Sequence, residues 1–295
     1  RPLDKLQHDD IDVLAYMVTT FLTLDILPKL WKRDISSAFR RVPIRAEHLD
    51  LAWVCWISAG RIWVAQHLGM PFGTVSAVYA WHRLGHALLL IIMVLFKAPL
   101  ARYVDDFFGC SRDGVTYSGG VCLTIVAALL GLPTDEAKSA DDLIRMVVLG
   151  ASVWVDWPGR SFHARVADAK ADKWAGLLKD MLDSGSCKAV EAASMAGRLS
   201  FTVTLAANRV GRAFIKPFYA QQHAPLPGNV IGAALESAMI WFLAYLEVRP
   251  AVIRRGLIPR RLLVTWHDAA GVSRWVAAVV RSEGEYWWTR IRTPD

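Results

Sequence analysis

Two adjacent carboxylates, Asp105 and Asp106, sit between apolar runs in Ala101-Arg-Tyr-Val-Asp-Asp-Phe-Phe-Gly109, and this constrains the chain more than any other stretch. Tyr103 and Val104 favour one strand, Phe107 and Phe108 a second, and the acidic pair between them reads as the tip of a β-hairpin. Side by side, two like charges raise each other's cost of ionisation unless a cation stands between them. For a hard, all-oxygen site that cation is Mg²⁺. The same residues also read as a polar Asp-Asp turn facing water, and only a further acid elsewhere in the chain separates the two.

That acid is Asp34, in Leu30-Trp-Lys-Arg-Asp-Ile-Ser-Ser-Ala-Phe39, at the end of an apolar run (Ile26, Leu27, Leu30, Trp31) suited to a central strand. Between the acids, Leu68-Gly-Met-Pro-Phe-Gly-Thr-Val-Ser76 is a Gly/Pro loop opening a long helical pattern. In order, Asp-x-x-x-x-Phe, Pro-Phe-Gly at a helix head and Tyr-Val-Asp-Asp resemble the palm of a reverse transcriptase. Downstream, Gly131-Leu-Pro-Thr-Asp-Glu-Ala-Lys-Ser139 and Val147-Val-Leu-Gly150 resemble that family's lysine-bearing segment and the Leu-Gly of its primer-grip hairpin. The likeness covers roughly residues 25 to 220 and points to the retrotransposon branch, DIRS-type elements in particular.

The resemblance implies an α+β polymerase palm, an antiparallel sheet backed by helices, with a helical thumb. It implies RNA- or DNA-templated addition of deoxynucleoside triphosphates to a primer, with two Mg²⁺ ions that Mn²⁺ can replace. Asp34 and Asp105 would bridge the ions, Asp106 would assist, and the carbonyl of Ile35 would complete one shell. Phe39, followed by Arg40, matches a steric gate against ribonucleotides. Phe72 and Gly73 match the loop under the nascent base pair, and Lys138 matches a residue that protonates pyrophosphate. Ordinary packing for Phe39 and a solvated role for Lys138 stay open. A catalytically inactive or truncated nucleic-acid-binding relative is the rival reading.

Length and composition agree with a folded, polyanion-binding chain. At 295 residues and 54% hydrophobic, it can fill a sizeable core. The positive mean hydropathy, +0.29, raises a membrane reading. The longest wholly apolar run, Ala87 to Phe96, is however ten residues, against about 20 for a span. Four scattered cysteines and no leader-like start suggest an intracellular, reduced protein, and the Arg1 start suggests an excised fragment. Of the net charge of +7, six basic residues surround Asp34 between Lys29 and Arg45, and five arginines lie between Arg249 and Arg261 with no acid.

Along the chain, residues 1–166 read as a palm with truncated fingers. Within them lie a lead-in helix, an aromatic hairpin at 51–68, a helix from Thr74 to Leu95 whose far end is apolar enough to bury, and a helix from Thr116 to Leu130. In the first long helix His82 and His86 have zinc-ligand spacing without the accompanying glutamate. Val147 to Val155 and Ser161 to Val166 read as a two-stranded hairpin in which Trp154 and the nearby Trp157 could stack on nucleic acid or pack inward. Residues 167–248 read as a helical thumb, with helices at 168–182, 188–205, 208–216 and 232–246. Residues 249–295 read as a basic linker and the first strands of an RNase H-like module. There Asp268 is either a metal ligand or a surface acid.

Overall fold

The computed structural model describes residues 6, 8–115, 117–206 and 209–254, and beyond them the backbone of strands at 264–270, 275–282 and 285–292. The chain parts into two units, residues 1–256 and 257–295. In the first, strand β1 (Pro28–Asp34) lies inside an antiparallel sheet. It is flanked by β5 (Asp106–Arg112), which pairs in turn with β4 (Leu100–Tyr103), and on the other side by β6 (Ala140–Leu143). The intervening hairpin is β2 (Trp53–Ser58) with β3 (Arg61–Gln66).

Alternation along β1 divides the core in two. Leu30 faces a cluster shared with helix α1 (Ile11–Thr23), while its neighbour Trp31 faces α2 (Val75–Phe96) and α3 (Gly119–Leu129). Phe107 and Phe108 of β5 split the same way. Trp31 is fully buried because three glycines make room for it. A Cβ at Gly109, Gly119 or Gly120 would stand 2.7, 2.9 or 3.0 Å from its ring. This close approach seats α3 against β1 and fixes the strand that ends in Asp34.

A second antiparallel sheet follows, in the order β10-β9-β8-β7: β7 (Arg145–Val148), β8 (Ala151–Asp156), β9 (Ser161–Val166) and β10 (Val252–Arg254). Helices α4 (Asp168–Ser184), α5 (Ala189–Leu205), α6 (Arg212–His223) and α7 (Ala233–Val248) share its buried face, Met146, Val153, Phe162 and Ala164 included. The core runs unbroken from α1 into these helices. Residues 257–295 contribute three antiparallel strands, β11 (Val264–Ala270), β12 (Trp275–Ser282) and β13 (Glu285–Arg292), in that order.

Four expectations need correction. The run Val147 to Val155 is not one strand but two, because Leu149 (φ 49°) and Gly150 (φ 80°) are both left-handed and close a tight turn. The third thumb helix begins at Arg212 rather than 208, after left-handed Gly211, and carries Pro217 inside it. The far end of α2 is not buried: Met93, Val94, Leu95 and Phe96 are exposed, since the buried face of the helix, Ala77, Trp81, Gly85, Leu88, Leu89 and Ile92, stops before them. Finally, α2 is long and apolar enough to cross a membrane by length and composition, because His82, Arg83 and His86 do not break its hydropathy. Its sheet-facing side chains are those of a core helix.

Candidate active site

The acids meet through strand register. β1 and β5 are antiparallel, and Asp34 stands directly opposite Asp106, so the partner the pairing gives Asp34 is the second acid of the pair. Asp105 occupies the two-residue turn between β4 and β5, and its carbonyl accepts from the Ile35 N–H at 3.2 Å. The turn's other residue, Val104, has φ 55°, a left-handed conformation that costs a β-branched side chain about 1–3 kcal/mol. Its carbonyl accepts two hydrogen bonds, from Trp81 Nε1 at 2.9 Å and Arg102 Nη1 at 2.6 Å.

Electrostatics single out the two adjacent acids, Asp105 and Asp106. Burial, then the Asp105 and Asp34 charges, push Asp106 up to about 6. Asp105 is also raised, chiefly by burial, with the Asp34 charge adding to it. Asp34, 8% exposed, has a cation already: Lys138 Nζ lies 2.9 Å from its Oδ2, and this bond and charge raise the lysine above its ordinary value. Lys138 reaches it from a single helical turn that follows Asp135, whose N–H donates to the Asp34 carbonyl at 2.8 Å. Among the described residues no three His, Cys, Asp or Glu side chains already converge as a metal site. His82 and His86 stack with ring centroids 6.2 Å apart, and His82 Nδ1 bonds Arg102.

Phe39 and Phe72, 33 residues apart in sequence, meet edge to face at 5.3 Å. Phe39 is half-buried against the α2–α3 core, whereas Phe72 is 65% exposed. Gly73 follows with φ 90° and nothing within 4 Å of where its Cβ would be, and this left-handed residue turns the chain towards α2. Arg40 bonds His67 Nδ1 at 2.7 Å, tying the segment after Asp34 to the base of the β2–β3 hairpin.

Beside the acids lies a cleft of about 450 Å³, lined by Asp106, Lys138, Lys32, Lys170, Leu149 and Gly150. Lys32 Nζ donates to the Val147 carbonyl at 3.0 Å, joining the two sheets at this point. Lys170, at the start of α4, was not legible as a site residue, since nothing in its local sequence marks it. Arg102 and Trp81 escaped notice for the same reason: each bonds a backbone carbonyl, which no motif encodes.

Other expected residues are placed elsewhere. Trp154 and Trp157 are half-buried and already carry guanidinium groups, Arg145 at 4.8 Å from the Trp154 ring and Arg160 at 3.9 Å from the Trp157 ring. Two arginines of the 249–261 run are likewise engaged, Arg249 with Asp168 and Asp172 and Arg254 with Asp12. The other three lie outside the described residues. Asp268 lies within β11 opposite Ala277 rather than at a strand end, and its side chain is outside the described residues.

No family model matches the sequence, and no curated protein matches it. Among solved structures, the foamy viral protease-reverse transcriptase in complex with an RNA/DNA hybrid superposes with TM-score 0.60 at 16% identity, over 97% of this chain and 35% of that one. A second foamy viral protease-reverse transcriptase structure, with double-stranded DNA, gives TM-score 0.60 at 17% identity, over 97% of this chain and 46% of that one. The chain thus spans less than half the length of the proteins it resembles. At such identities the likeness establishes the fold, which is reverse-transcriptase-like, an α+β arrangement of antiparallel sheets and helices.

Proposed function

We propose that this chain is the polymerising part of a reverse transcriptase, adding deoxynucleotides to a primer 3′ end on an RNA or DNA template. The observation that carries the reading is the Asp34–Asp106 register with Asp105 at the adjoining turn, set in a reverse-transcriptase-like fold. The structural neighbours were solved with RNA/DNA hybrid and with double-stranded DNA, which supports a primer–template as the partner. Motif order further supports a DIRS-type retrotransposon source, the scattered cysteines an intracellular location, and the resemblance of the segment around Asp268 an RNase H-like opening in β11–β13 with Asp268 as its first acid.

The donor set fits two Mg²⁺ ions, or Mn²⁺ in their place. Three carboxylates are hard oxygen ligands, and burial with mutual repulsion leaves Asp106 at about 6 until a cation relieves it. Asp34, Asp105 and Asp106 would hold the ions, with the Ile35 carbonyl beside them. Bound there, the ions would supply activation of the primer hydroxyl and charge stabilisation of the leaving pyrophosphate. Lys138 has to release Asp34 for that to happen, and once released it is free to neutralise the pyrophosphate and donate a proton to it. Phe39, propped by Phe72, would lie beneath the sugar and exclude a 2′-hydroxyl. Lys32 and Lys170 give the cleft the positive lining that phosphates require.

A catalytically inactive nucleic-acid-binding relative is favoured by one observation, the Lys138–Asp34 bond that closes the acid cluster. Primer extension on an RNA template with deoxynucleotides and Mg²⁺ or Mn²⁺, beside Asp105→Asn, separates the two. Extension lost in the variant supports polymerisation. Primer–template binding without extension by the folded wild type overturns it in favour of the inactive relative.

A further inference from the structure

The residue before the Tyr-Val-Asp-Asp turn is a buried charge. Arg102 is 3% exposed, on the edge strand β4, and among the described residues its guanidinium forms no salt bridge with a carboxylate, although the charges of Asp9 and Asp105 act on it. It points instead at backbone and ring acceptors: the Val104 carbonyl at 2.6 Å, the His82 carbonyl at 3.3 Å and His82 Nδ1 at 2.9 Å. A buried guanidinium is costly, so a placement in which one nitrogen donates to the turn's Val104 carbonyl and the other meets His82 of α2 needs a reason. Burial accordingly lowers its pKa from the ordinary arginine range.

Three further features converge on the same point. Trp81 Nε1 supplies the Val104 carbonyl with its second donor. The N-terminal segment clasps the edge strand at Arg102, where Asp9 N–H donates to the Arg102 carbonyl at 3.1 Å and the Arg102 N–H donates to Asp9 Oδ2 at 2.8 Å. On α2, Gly85 leaves the space the guanidinium fills, since a Cβ there would stand 3.0 Å from Nη1 and 3.2 Å from Cδ. A glycine inside a helix is otherwise unfavourable, so its presence is accounted for by the arginine.

We infer that Arg102 is the positioning residue of the acidic turn: with Trp81 it holds the Val104 carbonyl, keeps that residue left-handed and sets Asp105 beside Asp34. This rests on the polymerase reading for its consequence, and on the hydrogen bonds alone for its mechanism. Buried at 3% exposure, Arg102 is assigned no contact with nucleotide or template. Its effect passes through one peptide unit, where a small displacement of a carboxylate is enough to slow the chemistry.

The test uses the full chain with Arg102→Gln, Arg102→Lys, Trp81→Phe and Gly85→Ala. Steady-state single-nucleotide extension gives kcat and the deoxynucleotide KM, and amide hydrogen exchange of the protein alone gives the protection of Asp105, Asp106 and Phe107. Arg102→Gln should lower kcat about tenfold to a hundredfold with KM changed less than about threefold, and exchange should quicken at those three amides and not across β1. Arg102→Lys should recover part of both. Gly85→Ala should reproduce the loss by crowding the guanidinium, although alanine suits the helix better. If Arg102→Gln does not fold, Trp81→Phe and Gly85→Ala carry the test. Unchanged kcat and exchange overturn the proposal, as does loss of protection spread evenly over the sheet, which would mean general packing. A wild type that does not extend primers refutes the polymerase reading only; the exchange data still decide the role of Arg102.

Discussion

Two hairpins of this molecule are both rich in apolar residues and have opposite fates. The β4–β5 hairpin holds Asp105 and Asp106 and is gripped from every side: by β1 through register, by Trp81 and Arg102 at its turn, and by Asp9 along its edge. The β2–β3 hairpin carries Trp53, Trp56, Ile57, Ile62 and Trp63, all exposed, and both strands lie open to solvent throughout most of their length. Besides its backbone ladder, it is joined by Trp56 against Trp63, ring planes 15° apart and centroids at 6.4 Å. Apolar sequence alone therefore does not decide burial. What distinguishes the first hairpin is a set of hydrogen bonds that only the folded chain assembles.

The comparison breaks first at glycine. In β5, a Cβ at Gly109 would stand 2.5 Å from the Pro99 carbonyl and 2.7 Å from the Trp31 ring, so Gly109→Ala should cost roughly 3 kcal/mol or more. In the open hairpin, Gly60 has φ 71° and nothing within 4 Å, so Gly60→Ala should cost only about 1 kcal/mol of backbone strain. Denaturant midpoints of the two variants measure the difference; equal losses would mean the acidic hairpin is no more tightly held than the exposed one.

A smaller effect comes from pH. Asp106 titrates near 6 in the fold against an ordinary 3.8, so between those values the folded state binds more protons than the unfolded chain. Stability should fall as pH rises from about 4 through 6.5, by at most about 2–3 kcal/mol, and by less to the extent that solvent screens the site. Asp106→Asn should flatten that part of the profile. The open hairpin contributes no such slope.

The smallest effect is expected in the open hairpin itself. Trp56→Ala removes one exposed ring of a cross-strand pair and should cost about 1 kcal/mol or less. A larger loss by thermal melting would reveal that the hairpin is buried in solution.

The division between the hairpins also explains what the sequence could reveal. The placement of Asp34 at a strand end and of the Asp105–Asp106 pair at a hairpin tip was readable from the apolar runs that flank them, whereas Phe39 and Phe72 were singled out only through the resemblance. The packing of β1 inside its sheet was readable from Leu30 and Trp31. The left-handed pair Leu149–Gly150 hid a strand break, because a tight turn needs only two residues and leaves the flanking apolar pattern intact. Exposure of the α2 end was hidden because hydrophobicity does not say which neighbours exist. Arg249 and Arg254 looked free because their partners, Asp168, Asp172 and Asp12, lie far off in sequence.

The central claim is that burial and neighbouring charge hold Asp105 and Asp106 at an electrostatic cost that bound divalent ions would relieve. The most direct test is the melting temperature of the wild type and Asp106→Asn at neutral pH, with and without saturating Mn²⁺. The wild type should gain stability with the ion, by about 2.7 kcal/mol at a hundred times the dissociation constant. Asp106→Asn should be more stable than wild type without the ion and gain little from it. A wild type indifferent to Mn²⁺, or a variant less stable than wild type in its absence, would contradict the account.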